Sequence, residues 1–487
     1  MNSIWRNEVG HLEKSHKEIS EDDFYDVIVI GAGLCGILTA YYLQNKGKNV
    51  LVLEAAKIAS GQTERTTAKI TSQYGLKYSE LISKVGMKKA LLYAKANEDA
   101  IKEYERLIKT NNISCDFNMV SSFLYSTEDE TCLKNELDSA QSLGINACYH
   151  NNLNLPFEIK GAVEFPNQAQ FSPLKFVSHI IKELSIIENS RVLKVKKTSV
   201  FTETKEFKAH NIVIATHYPF INAPGFYFFR QHQERSYVYA ISGDNVKSIN
   251  NLYYSIDKEG LSLRREGDVL LIGGASHRTG HNKCGGAYEY LESMAKKYFP
   301  DCKLEAKWSA QDCMPHDKIP FIGKYSLFTP NMYVATGFQK WGMTTSMIGA
   351  KLLTDMICGR KNDYSELFSP QRINFKAGFK DLIMDVGVSV SGLTKGIFHL
   401  PIKTHKDLER GDGGIIRYGF KRKACFKDDN GNLHLMSAKC PHLGCELTWN
   451  PDEKSFDCPC HGSRFDDNGR LLDNPSFKDV KNIENDM

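Results

Sequence analysis

The chain has 487 residues, of which 62 are basic and 58 acidic, for a formal net charge of +4. That near-balance excludes the strong positive field of a nucleic-acid binder, and the length predicts about three structural parts. No run approaches the ~20 apolar residues of a transmembrane helix, because the apolar stretch over 27–43 contains three glycines and divides into strand, loop and helix. Residues 1–24 are polar and charged, lack the apolar core of a signal peptide, and read as an N-terminal extension. Of the 13 cysteines, nine lie outside the C-terminal boxes without paired spacing. They read as reduced thiols of a cytoplasmic protein.

Residues 25–30 form a short apolar run suited to a buried parallel strand. Gly31-Ala-Gly33-Leu-Cys-Gly36 follows at once, then a helical stretch over 37–44, a second strand over 50–53, and Glu54, 18 residues after Gly36. In that context the glycines permit a tight turn and a close approach to a pyrophosphate, the helix N-terminus supplies donors, and Glu54 is placed to accept from a ribose. The motif alone does not choose between FAD and NAD. Farther along, residues 85–108 and 133–143 are rich in helix formers and predict two surface helices. Residues 366–405 are too many for a structureless connection. Phe375, Phe379, Leu382, Ile383 and Val386 recur there at helical spacing. A surface-packed amphipathic helix is the expectation; Lys376, Lys380, Lys395 and Lys403 also permit a peripheral membrane or quinone-docking element.

The C-terminal end holds two mixed pairs, Cys440/His442 and Cys458/His461, separated by 15 residues, with Cys445 and Cys460 beside them. This set offers two thiolates to one iron and two imidazoles to another, as in a [2Fe–2S] centre where two His replace two Cys. Zinc is the alternative, but zinc spacing groups Cys with Cys and His with His. Residues 405–487 resemble Rieske domains. That resemblance implies that Cys440 and Cys458 hold one iron, that His442 and His461 hold the other, and that Cys445 and Cys460 form a disulfide. It matches Ser463 to a hydroxyl that hydrogen-bonds cluster sulfur, and Pro475 to the loop covering the cluster. Phe465 stands where higher-potential members carry Tyr, a departure that should lower the potential within the family range of about −150 to +300 mV.

Further stretches continue the nucleotide-binding pattern. They are the loop 58–67 with Ser60, Gly61, Arg65, Thr66 and Thr67; Val195; the segment 211–216; residues 317–323; and residues 336–344 with Gly337, Trp341, Gly342, Met343 and Thr344. In this order they resemble the D-amino-acid-oxidase-like (glycine/sarcosine oxidase type) flavoproteins over roughly 25–360. The resemblance implies FAD and an interleaved fold. FAD-binding parts are expected at about 25–75, 190–225 and 310–365, and substrate parts with a mixed sheet at about 75–190 and 225–310. The expected architecture is an α/β, Rossmann-like flavoprotein over 25–365, a linker over 366–405, and an all-β Rieske sandwich over 406–487.

The family oxidises C–N bonds of amines or amino acids by hydride transfer to the flavin. Substrate-side candidates are Arg264 as a carboxylate partner, Tyr254, His277 as a base, and Trp341 as a pocket wall. Cys313-Met314 is similar, with a three-residue gap, to a flavin-linked cysteine of sarcosine oxidases; a buried free thiol is the simpler reading. A flavin takes two electrons and a Rieske cluster one, so their fusion implies a two-to-one electron splitter feeding an external one-electron carrier or quinone. The alternatives are inward flow from cluster to flavin, or a redox-sensing module without turnover. Oxygenase chemistry needs a two-His-one-carboxylate iron site, and His217, His232, His277, His281 and His316 show no such pattern.

Overall fold

A computed structural model describes residues 3–13, 24–372, 387 and 403–481. The helix expected around Phe375–Val386 lies outside the described residues.

The apolar strand Phe24–Ile30 sits inside an eight-stranded sheet, flanked by Val50–Leu53 and Glu206–Ile214 in parallel register. Val27, Ile28, Val29 and Leu51 are fully buried, as expected for parallel strands covered on both faces. The helix Leu34–Gln44 covers one face and packs on Gly342–Ile357. A Cβ at Gly349 would lie 3.1 Å from the Cys35 sulfur, so the small residue sets that helix spacing.

A second sheet of nine strands carries the pocket roof. Its strands Leu252–Ser255, Ser262–Glu266 and Val269–Arg278 lie side by side, antiparallel to one another, and Leu252–Ser255 pairs in parallel with Asn118–Ser126. The strand Gln231–Ser242 continues the sheet and pairs along its length with Lys303–Pro315. The two predicted surface helices are Met87–Thr110 and Thr131–Ser142. The C-terminal part is all-β, with a three-stranded sheet over Asp412–Ser437 and a four-stranded sheet over Thr448–Asp473.

The polar N-terminal extension contributes a short helix, Ile4–Val9, that its composition did not announce. Trp5 is fully buried and donates from Nε1 to the Thr66 carbonyl (2.8 Å), and Arg6 pairs with Glu64. One Trp in a charged stretch leaves no periodicity to read; the contact appears only when the loop over 58–67 is folded beside it.

Candidate active site and iron–sulfur centre

The glycine motif forms the turn its spacing predicts. Gly31 has φ +106°, and a Cβ there would meet the Ala215 carbonyl oxygen at 2.5 Å. A Cβ on Gly36 would lie 2.0 Å from the Gly31 carbonyl oxygen. Glu54 accepts from the Ala32 and Ala56 amides at 2.7 and 2.8 Å, and its burial raises the carboxyl pKa. The N-cap of the helix Leu34–Gln44 is Gly33, which has no side chain to cap it; the Leu34 amide donates to Thr63 Oγ1 at 2.9 Å, and Gly33, Leu34 and Cys35 line the cavity at the helix N-terminus, where anions are favoured.

A cavity of about 640 Å³ runs from this turn to the roof sheet. Gly31, Gly33, Glu54, Ser60, Gly61, Arg65, Thr66, Thr67, Trp341, Gly342 and Met343 line it. Gly36, Val195, Gly337 and Thr344 stand behind the lining. Val195 is displaced to the far end of the strand Val192–Lys196, and Val192 takes the wall position. Thr344 is fully buried and donates to the Thr71 carbonyl. Gly337 backs against Pro315.

Of the substrate-side candidates, the structure brings Tyr254 and Trp341 together on the wall, edge to face at 5.4 Å, with Tyr74 stacked behind Trp341 at 4.1 Å. Arg264 is a correction. It is fully buried away from the lining, donates to the Thr67 and Phe171 carbonyls, pairs with Glu266, and lies 4.9 Å from the Trp5 ring. With Nε also on Gln170 Oε1 (3.3 Å), four of its five N–H groups are engaged by protein. His277 is also off the lining, held between Tyr237 OH (3.1 Å) and its neighbour's carbonyl (2.9 Å).

Charged residues not anticipated as site residues line the cavity instead, among them Lys69, Lys340 and Asp312. Lys69 Nζ donates to the Tyr253 carbonyl (3.1 Å) and the Ser262 hydroxyl, without a carboxylate partner among the described residues; burial lowers its pKa to about 7. Lys340 pairs with Glu234 (3.3 Å) and donates to Ser276 (2.8 Å). Burial pushes the Asp312 carboxyl up to about 7. The signal for Lys69 was its place two residues after the phosphate loop, on a strand facing the roof.

At the C-terminal centre, Cys440 and Cys458 are buried. The neighbouring Cys440 thiol and the amides of Cys460, His461 and Gly462 lower the Cys458 pKa. Ser463 Oγ accepts from the Ser476 amide at 2.9 Å. The His442 and His461 ring centroids are 5.0 Å apart, and His442 Nδ1 is buried without a hydrogen-bond partner. Two thiols, two convergent imidazoles and sulfur-directed amides suit a [2Fe–2S] cluster. Cys445 and Cys460 are disulfide-bonded across the two loops (Cα–Cα 6.5 Å). These two sulfurs are thereby excluded as thiolate ligands, although they lie within 4.8 Å of the Cys458 sulfur.

The two sites share a wall. Along Gln231–Ser242 and Lys303–Pro315 side chains alternate between faces. Ser236, Val238, Ala310 and Asp312 line the cavity, while Gln233, Arg235, Ser309 and Gln311 reach the C-terminal lobe. Gln233 Nε2 donates to the carbonyls of His461 (2.8 Å) and Asn474 (2.9 Å), and Gln311 Nε2 to that of Gly462 (2.8 Å). His442 Nε2 meets Asn222 Oδ1 at 2.8 Å, and Phe228 lies edge-on to both His rings. The lobe returns Leu471, Leu472, Asp473 and Asn474 to the cavity lining.

A Rossmann-type cavity walled by a cluster-binding lobe defines a flavin and iron–sulfur oxidoreductase. The family of FAD dependent oxidoreductases matches residues 26–356, and the Rieske [2Fe-2S] domain matches 399–484. The chain belongs to the FAD dependent oxidoreductase family and carries a Rieske domain; it binds FAD and a [2Fe–2S] cluster. It is 35% identical over 488 residues to the Rieske 2Fe-2S iron-sulfur protein YhfW of Bacillus subtilis (strain 168), covering 97% of this chain and 96% of that one. Its Rieske part is 44% identical over 58 residues to cytochrome b6-f complex iron-sulfur subunit 2 of Nostoc sp., 12% of this chain and 33% of that protein. Similar solved folds include glycine oxidase from Geobacillus kaustophilus (TM-score 0.62, 17% identity, 72% of this chain and 99% of that one). L-proline dehydrogenase from P. horikoshii is comparable (TM-score 0.60, 17% identity, 72% and 98%). No described helix is long and apolar enough to cross a membrane.

Proposed function

We propose that this oxidoreductase oxidises the C–N bond of an amine or amino acid and passes the electrons singly, through its Rieske cluster, to an external one-electron carrier or quinone. The observation that carries this reading is the shared wall: residues of two adjacent strands line the flavin cavity on one face and hydrogen-bond the cluster loops on the other. The similar solved folds, a glycine oxidase, an L-proline dehydrogenase and an L-amino acid deaminase, support the substrate class.

When bound, FAD supplies two-electron acceptance and the cluster one-electron acceptance. Gly31, Gly33 and the amides opening the helix Leu34–Gln44 would hold the pyrophosphate, Glu54 the ribose, and the loop with Ser60, Gly61, Arg65, Thr66 and Thr67 the remaining phosphate edge. Cys440 and Cys458 would hold one iron, and His442 and His461 the other. Tyr254 and Trp341 form an aromatic wall that excludes water. Lys69 presents a donor without a carboxylate partner among the described residues, suited to a substrate carboxylate. Asp312 is a carboxyl in the cavity wall able to exchange a proton near neutral pH.

An anaerobic panel of amines and amino acids tests the reading. Flavin bleaching followed by growth of a Rieske-type paramagnetic signal is the expected result. A substrate that bleaches the flavin while the cluster stays oxidised would show the wiring to be wrong.

A further inference from the structure

The geometry points to a fixed, docked Rieske lobe: electrons cross the partition wall in the arrangement seen, with Cys313 and Gln233 as positioning residues and no swing of the lobe. This rests on the proposed reading that flavin and cluster are electron partners.

Two contact routes join the cavity to the cluster loops. His217, on the cavity wall, places Nε2 3.3 Å from Cys313 Sγ. Cys313 Sγ is 3.8 Å from Gln233 Oε1, and Gln233 Nε2 donates to the His461 carbonyl at 2.8 Å. In parallel, Gln62 of the cavity wall accepts from the Gln311 amide at 2.7 Å, and Gln311 donates to the Gly462 carbonyl at 2.8 Å. Gln311 also donates to Gln233 at 2.6 Å, tying the routes together. Cys313, Gln233 and Gln311 are all buried, so both routes run through packed protein.

The approach is as close as backbone allows. A Cβ on Gly462 would lie 2.7 Å from Gln233 Cβ, and a Cβ on Gly280 would lie 2.6 Å from Pro459 Cα. Glycine at these two points lets the cluster loop touch the wall directly. Lobes joined by small polar interfaces move relative to each other by default. Here, by contrast, the interface buries ionised groups. Arg235 and Arg464 share Glu453 and Asp473, and Asp452 of the lobe accepts from Asn282 (2.7 Å) and from the Gly286 and Ala287 amides opening the helix Ala287–Tyr298. Swinging the lobe away would break these bonds and also remove Leu471 to Asn474 from the cavity wall, opening the flavin site to water.

In balance, each two-electron-reduced FAD is oxidised by two successive one-electron transfers. The cluster is reduced once per transfer and reoxidised each time by an external one-electron acceptor, and the two flavin protons pass to solvent.

The test uses the FAD- and cluster-loaded full chain, with the flavin reduced photochemically under anaerobic conditions so that no substrate need be known. Cluster reduction is timed optically and by paramagnetic resonance as glycerol raises the solvent viscosity. Amide hydrogen exchange over 461–463 and 474–476 is compared between oxidised and reduced protein. The expected results are a transfer rate independent of viscosity and equally slow exchange in both states. Cys313→Ala and Gln233→Met should each slow transfer roughly tenfold, with Cys313→Ala leaving FAD content and the cluster's g values unchanged and Cys313→Ser restoring part of the rate. If Gln233→Met does not fold, Cys313→Ala decides. A rate that falls in proportion to viscosity, exchange that quickens on reduction, or wild-type transfer in the variants overturns the docked route. A wild-type flavin that is reduced while the cluster never follows overturns the electron partnership itself.

Discussion

On the lobe side of the partition wall, Arg235 and Arg464 are 0% and 3% exposed by side chain, and each guanidinium meets carboxylates. Arg464 reaches Asp457 at 3.0 Å and Asp473 at 2.9 Å, and Arg235 reaches Glu453 at 3.0 Å. On the cavity side, Lys69 is also buried yet meets a carbonyl and a hydroxyl with no carboxylate among the described residues. Buried charges are costly unless paired. The contrast therefore separates two uses of charge: at the interface the partner is built in and fixes the docking, whereas in the cavity the partner is left for a ligand to bring.

The comparison breaks most sharply at Asp473, whose carboxyl the Arg464, Arg65 and Arg235 guanidiniums hold far below the usual range. Asp473→Ala strands these cations and is expected to cost about 3–5 kcal/mol, read by denaturant unfolding, together with faster hydrogen exchange at 461–463. An unchanged midpoint would mean the network carries no docking energy. Next is Gly36→Ala, in which the new methyl meets the Gly31 carbonyl and not a yielding side chain. About 1–3 kcal/mol of overpacking, or roughly 10–100-fold in FAD affinity, should appear in flavin titration, while the cluster signal stays intact.

Lys69 sharpens the comparison through pH. Its pKa in the folded protein, about 7, lies below the free value of 10.5. The unfolded chain therefore binds more protons in that window, and stability rises as pH climbs from about 7 to 10.5. Lys69→Met should flatten that rise and raise KM for carboxylate-bearing substrates more than for simple amines. Equal KM changes for both classes would sink the counter-ion role. The smallest effect is expected at Phe465, fully buried beside the cluster loops. Phe465→Tyr adds a donor of about 1 kcal/mol, which for one electron is roughly 40 mV upward, measurable by redox titration followed by paramagnetic resonance.

The Rieske domain was legible because its candidate donors sit on two short loops close in sequence. Cys440/His442 and Cys458/His461 carry their chemistry in their spacing, and the Cys445–Cys460 bridge spans only 15 residues. The glycine turn and Glu54 were legible for the same reason, since strand, turn and helix are consecutive. The substrate side was not. Arg264 and Ser262 are two residues apart and share a face of one strand, yet Ser262 lines the cavity while Arg264 lies beyond it under Trp5. No local pattern separates them, because Trp5 comes from an extension more than 250 residues earlier in the chain.

The amino-acid sequence by itself determined the two cofactors and their order along the chain, since each depends on local backbone geometry and on side chains within a few residues of one another. Tertiary structure alone decided which charges face the cavity and which are spent, and that one pair of strands serves both centres. Those outcomes depend on which segments a strand's two faces meet, and for Gln233, Arg235 and Gln311 the partners are 151 to 241 residues away.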